Sequence, residues 1–128
     1  MIDLSGIRIL VVEEEALIAL LEEDALAQAN GTVAARARTF AEASRLIETQ
    51  TFDVALVDGT IGGIPAYQLA DALRRKNIPF VILTAGGLYR RQGTPVHEFR
   101  DGVFVDKPFG DADLIQGVVA ALTGGRAS

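Results

Sequence analysis

Three stretches of the chain, Val54–Val57, Phe80–Leu83 and Val103–Val105, carry no polar residue, and Ile7–Val12 carries one, Arg8. Short apolar runs bounded by turn residues read as strands buried on both faces of a parallel sheet. A weaker strand is predicted over 32–38, with Val33 and Ala35 on its apolar side. Between these runs the period changes. Leu17, Ile18, Leu21, Ala25, Leu26 and Ala29 recur at helical spacing, behind Glu13, Glu14 and Glu15, acids that suit a helix N-terminus. Asn30-Gly31 ends this helix, and Gly31 suits a left-handed C-terminal position. Thr39-Phe-Ala-Glu42 has the form of a capping box and opens a helix with Phe40, Ala43, Leu46 and Ile47 on one face. Pro65, suited to a first turn, opens another through Lys76, with Tyr67, Leu69, Ala70, Ala72 and Leu73 available for packing. Asp111 or a neighbour caps a last helix carrying Leu114, Ile115, Val118, Val119 and Leu122.

The alternation of five strands with helices predicts an α/β fold, a doubly wound parallel sheet with helices on both faces. The segment from Ala85 to Gly102 breaks the pattern, with Gly86, Gly87, Gly93, Pro95, Arg90, Arg91 and Arg100. It predicts a mobile loop with at most a short or distorted helix. His97, without a second His or any Cys, is assigned no role. The whole reads as one domain over 1–123 with a flexible tail over 124–128.

Composition narrows the function. A chain of 128 residues suits one domain with a real core. Without cysteine it has no disulfide framework and no thiolate metal site. A formal charge of −5 argues against a nucleic-acid partner, which needs a basic face. No apolar run approaches the length of a membrane span, so a cytoplasmic domain is expected.

The candidate chemistry sits where the strands stop. The first strand ends in Glu13 and Glu14, the third in Asp58, the fourth in Thr84 and the fifth is followed by Lys107. Open α/β sheets bind ligands outside the carboxyl ends of their strands, and in a parallel sheet these ends share one edge. Taken singly, each residue has a plainer role: a solvated helix start, a turn, a turn hydroxyl, a surface charge, and for Phe104 a core aromatic. Those roles leave their joint placement unexplained. Clustered carboxylates repel unless a cation lies among them. Oxygen ligands suit Mg²⁺, and a hydroxyl with an ammonium suits phosphoryl oxygens. The set reads as Mg²⁺-assisted phosphoryl transfer to a carboxylate nucleophile.

Val-Val-Glu-Glu-Glu at 11–15, Asp-Val-Ala-Leu-Val-Asp at 53–58, Ile-Leu-Thr-Ala at 82–85 and Asp-Lys-Pro-Phe at 106–109 together resemble a response-regulator receiver domain of two-component signalling, over nearly the whole chain. The resemblance implies a flavodoxin-like sheet of order 2-1-3-4-5. It implies that Asp58 accepts a phosphoryl group from a histidine kinase or a histidine phosphotransfer protein. Glu13, Glu14, Asp58 and the Thr60 backbone carbonyl then hold Mg²⁺. Lys107, the Thr84 hydroxyl and the Ala85 N–H bind phosphoryl oxygens. Phe104 is implied to turn inward as Thr84 moves, switching a surface for a downstream protein target. A monomer or weak dimer without a membrane partner is expected. With no output domain after the last helix, a single-domain regulator is expected, or a domain from a larger protein.

Three departures from the family pattern carry expectations. Glu14 stands where receivers usually have Asp, and the extra methylene predicts weaker Mg²⁺ binding. Gly59, in place of a bulkier residue, predicts a looser loop. The 85–102 segment predicts a partner face that is ordered only on phosphorylation or binding. A degenerate receiver, folded but never phosphorylated, is the main alternative. Asp58-Gly-Thr60 also resembles haloacid-dehalogenase phosphatases, but the nucleophile of that motif falls on Leu56. A flavodoxin needs a Ser/Thr/Gly-rich phosphate loop where this chain has three acids.

Overall fold

The computed structural model describes residues 2–85 and 102–124. The principal strands are β1 (Arg8–Val12), β2 (Thr32–Ala37), β3 (Val54–Asp58), β6 (Phe80–Ala85) and β7 (Val103–Lys107). They form one parallel sheet in the order β2-β1-β3-β6-β7. This is the expected 2-1-3-4-5 order once a small hairpin, β4 (Thr60–Ile61) and β5 (Ile64–Pro65), is set aside. The helices are α1 (Ala16–Ala27), α2 (Phe40–Thr49), α3 (Tyr67–Arg75) and α4 (Asp111–Leu122).

Alternate residues of each strand face opposite layers. Leu10, Val12, Ala55, Val57, Phe80 and Ile82 pack with Ala43, Ile47, Leu69 and Leu73 of α2 and α3. Ile9, Val11, Val54, Leu56, Val81 and Leu83 pack with Leu26, Leu114 and Val118 of α1 and α4. Burial on both faces explains why the strands read as unbroken apolar runs. The expected loop and short helix over 85–102 fall almost wholly outside the described residues, as do His97 and all but the first residue of the tail.

Several local expectations are corrected. Glu13, Glu14 and Glu15 precede α1, whose N-cap is Glu15, and no acid lies in its first turn. Leu17 and Leu21 are exposed, whereas α1 buries Ala19, Glu22, Ala25 and Leu26. A leucine-rich helix has apolar residues all round, so hydrophobicity alone did not define its inner face. The left-handed residue after α1 is Asn30 (φ 61), not Gly31. Gly31 serves packing instead, because a Cβ there would lie 2.9 Å from the Leu26 carbonyl oxygen. Pro65 closes the hairpin, and α3 starts two residues later. The cap of α4, expected at Asp111 or a neighbour, is Gly110, whose N–H donates to Asp113 Oδ2 at 3.1 Å. The Thr39 hydroxyl does cap α2, accepting the Glu42 N–H at 3.1 Å, while the Glu42 carboxylate accepts the Arg38 N–H at 3.0 Å.

Gly117 sets how closely α4 approaches the sheet. A Cβ there would lie 2.8 Å from Val105 Cγ2, in a packed layer of β-branched side chains. Gly117→Ala is therefore expected to lower stability by about 1–3 kcal/mol despite the helix propensity of alanine. Urea unfolding measures it, and an unchanged midpoint would show that β7 yields freely.

Candidate functional site

The site lies at the carboxyl edge of the sheet, where β1 and β3 end side by side and β7 ends one strand further on, beyond β6. Glu13 extends β1 by one residue, its N–H donating to the Ala37 carbonyl of β2 at 2.9 Å. This fixes its carboxyl inside the fold, where it is 1% exposed. The Glu15 N–H donates to Glu13 Oε2 at 3.1 Å. Asp58 is the last residue of β3, and its Oδ1 accepts the Thr60 N–H at 3.3 Å. Lys107 is the last residue of β7 and precedes a cis peptide bond to Pro108. Its Nζ lies 3.3 Å from Glu13 Oε1 and 3.3 Å from Asp58 Oδ2. Residues 13, 58 and 107 thus meet as two carboxylates around one ammonium.

The electrostatics follow from the burial. Desolvation raises the Glu13 pKa, and Asp58 adds to the rise, while the Glu15 N–H and Lys107 oppose it. For Lys107, desolvation is the largest single influence and acts downward. The Asp58 and Glu13 carboxylates together outweigh it, and the ammonium titrates above its ordinary value. The two carboxylates thereby hold the ammonium in place.

Thr84 lies within β6, buried, with Asp106 opposite it in register. Its hydroxyl donates to Asp106 Oδ1 at 3.0 Å. Ala85 is in register with Lys107, which brings its backbone to the same edge. Phe104 is 6% exposed within the layer covered by α2 and α3, so the structure holds it inward.

Glu14 behaves differently from its neighbour. Both of its carboxylate oxygens accept the Gly62 N–H, at 3.1 Å each. Its carbonyl accepts from Arg38 Nε at 3.3 Å and Nη2 at 3.2 Å. The hairpin it touches turns through Gly62 (φ 60) and Gly63 (φ 78), a two-glycine connection typical of a tight hairpin. Gly59 is bonded on both sides, N–H to Leu83 O and carbonyl to the Ala66 N–H, each at 2.9 Å, rather than loosening the loop.

Two residues here escaped the sequence reading: Arg38 and Glu22. Glu22 has no exposed surface, and neither oxygen finds a hydrogen-bond donor among the described residues. Desolvation pushes its pKa up to about 9, with Glu13 the next influence. Two ionised carboxylates offer each other no donor, but Glu13 and Glu22 are within hydrogen-bonding reach once Glu22 keeps its proton. The spacing of Ala19, Glu22, Ala25 and Leu26 along one helix face was the available signal.

Among the described residues no group of three or more His, Cys, Asp or Glu side chains is arranged to hold a metal ion. Glu13 and Asp58 alone fit Mg²⁺, which takes one or two carboxylates and retains several waters.

A parallel sheet of this order, with helices on both faces and polar groups at its carboxyl edge, defines the flavodoxin-like class of α/β folds. The profile of the response regulator receiver domain matches residues 9–119, and the chain belongs to that family. No curated protein sequence shows significant similarity to it. Among solved structures, SdrG from Sphingomonas melonis Fr1 is 34% identical, covers 92% of this chain and 94% of its own, and superposes with a TM-score of 0.70. A putative response regulator from Chloroflexus aurantiacus J-10-fl is 26% identical over 91% of this chain and 98% of its own, with a TM-score of 0.78. The receiver domain of the sensor histidine kinase PA1611 from Pseudomonas aeruginosa PAO1 shares the fold at 22% identity, covering 93% and 99% of the two chains, TM-score 0.77; it holds magnesium in its active-site cleft. Receiver domains are signalling phosphoacceptors rather than classical enzymes, and act between histidine kinases and downstream targets. Among the described residues no helix is long and apolar enough to cross a membrane.

Proposed function

We propose that this chain is a phosphoacceptor receiver of a cytoplasmic phosphorelay, taking a phosphoryl group on Asp58 from a histidine kinase or a histidine phosphotransfer protein. The observation that carries the reading is Lys107 Nζ placed 3.3 Å from both Glu13 and Asp58. An Asp58 oxygen attacks phosphorus as the bond to the donor's imidazole nitrogen breaks, and the imidazole leaves with the nitrogen's electron pair. The product is an aspartyl phosphate. Lys107 then exchanges its carboxylate contact for a phosphoryl oxygen, a short shift for a flexible side chain. The Thr84 hydroxyl turns from Asp106 to a second oxygen, and the Ala85 N–H assists. Glu13, Asp58 and the Thr60 carbonyl would hold Mg²⁺, with Glu14 as a further ligand once its side chain turns from Gly62. When bound, the ion neutralises charge between the carboxylates and the incoming phosphoryl group. Residues 1–123 form the working unit and 124–128 a tail.

A second reading, the degenerate receiver, is favoured by the engagement of Glu14 with Gly62. One experiment separates them. The protein is incubated with Mg²⁺ and a small-molecule phosphodonor and then weighed intact. A single phosphoryl adduct, absent in Asp58→Asn and without EDTA-treated controls gaining it, is the expected result. No adduct at any Mg²⁺ concentration would establish the degenerate reading.

A further inference from the structure

We propose that Glu14 is a positioning residue for the hairpin behind Asp58, and that metal entry and release of that hairpin are one event. This rests on the Mg²⁺-dependent reading above and adds a role for the residue that departs from the family pattern.

The argument starts from how Glu14 is held. Arg38 grips its carbonyl through two nitrogens, at 3.3 and 3.2 Å, so the backbone at this point is tied to the end of β2. Only the side chain remains free to choose a partner. Its two oxygens straddle one amide, Gly62 N–H, at equal distances of 3.1 Å. A carboxylate centred on that amide is not centred on the pocket, where Glu13 and Asp58 face Lys107. To join them around a cation it must turn away from the hairpin.

Gly62 answers to Glu14 because of where it sits. It is the first turn residue of the hairpin, with φ 60, and its partner Gly63 has φ 78. A Cβ added at either glycine would meet nothing within 4 Å, so the turn lies in open space. The hairpin is two residues long on each strand and carries Thr60 at its base, directly after the acceptor loop. It also presents Ile64, a largely exposed apolar side chain. Ile61 anchors the base of the hairpin in the core, and the charge-assisted hydrogen bond from Gly62 to Glu14 holds the turn above it. When the cation takes Glu14, the turn loses that bond, and the exposed Ile64 beyond it gains freedom at the site's rim. An aspartate, one methylene shorter, holds the turn less well.

Backbone amide NMR tests both halves. Without divalent cation, the Gly62 amide of Glu14→Ala is expected to exchange with solvent at least about tenfold faster than in the parent. Titrating the parent with Mg²⁺ is expected to move the Gly62 resonance toward its position in the variant, in step with shifts at Asp58. Equal exchange in parent and variant would overturn the latch. Shifts at Asp58 with none at Gly62 would overturn the coupling while leaving the phosphoacceptor reading intact. No shift at either residue would overturn the Mg²⁺-dependent reading and the coupling together.

Discussion

Glu22→Leu is expected to unfold at a higher urea concentration than the parent at neutral pH, and the gain is expected to grow with pH. Glu22 titrates at about 9 in the folded chain against an ordinary value of 4.5. Between those values the folded protein keeps the proton and the unfolded chain has lost it, so unfolding releases a proton. Stability at this residue is therefore fully present below about pH 4.5 and falls as pH rises toward 9. One pKa unit corresponds to about 1.4 kcal/mol, so the loss reaches roughly 3 kcal/mol by pH 7. Leucine removes that loss and suits the apolar stripe of Ala19, Ala25 and Leu26. Glu22→Gln flattens the same slope without restoring apolar packing and separates the charge effect from the volume effect. Glu13, also raised, leaves a smaller slope of the same sign in both variants. Urea midpoints from about pH 5 to about pH 9, without divalent cation, give the measurement. Parallel curves for parent and Glu22→Leu would show that Glu22 is ionised in the folded protein.

The buried glutamate also marks where sequence reading stops. The strands were legible because a parallel sheet covered on both faces takes few polar residues away from its strand ends, and each apolar run said so directly. The order of the strands came with the family resemblance. α1 was legible as a helix but not as an oriented one, since Leu17, Leu20 and Leu21 point a second apolar stripe at solvent. Hydrophobicity located the helix; only packing against β1 and α4 chose the face, and that face includes an acid. The hairpin was missed for a different reason. Ile61-Gly62-Gly63-Ile64 is a hairpin signal, but Pro65 offered a competing helix start.

Site residues split in the same way. Asp58 and Lys107 were found because each ends a buried strand, and a strand end in a parallel sheet has a known destination. Glu13 and Glu14 were found as a pair, yet adjacent residues leave a strand in opposite directions. One enters the fold and meets Lys107, while the other leaves it and meets the hairpin. No count of acids at a strand end distinguishes the two. Arg38 was invisible because its function is to a carbonyl, a group every residue carries.

Lys107→Met separates what the ammonium does before phosphorylation from what it does during it. In the absence of divalent cation the variant leaves Glu13 buried and Asp58 beside it with no positive charge between them. Removing one partner from a buried ion pair costs about 3–5 kcal/mol, and the partial exposure of the lysine brings the expected loss to about 2–3 kcal/mol. The loss grows with pH as Glu13 ionises, because its raised pKa rises further without the cation. Mg²⁺ reverses the order. The ammonium occupies the place between the two carboxylates, so it competes with the ion, and its removal is expected to tighten Mg²⁺ binding by about tenfold, or about 1.4 kcal/mol. The thermal shift on adding Mg²⁺ is therefore larger in the variant than in the parent. Phosphorylation moves the other way. Without a cation facing the phosphoryl oxygens, the initial rate of adduct formation is expected to fall by about a hundredfold. Tighter metal with slower transfer assigns Lys107 to the phosphoryl group in addition to its part in the fold. Unchanged Mg²⁺ affinity would mean that the ion binds clear of the lysine, and that Glu13 and Asp58 are not its shared ligands.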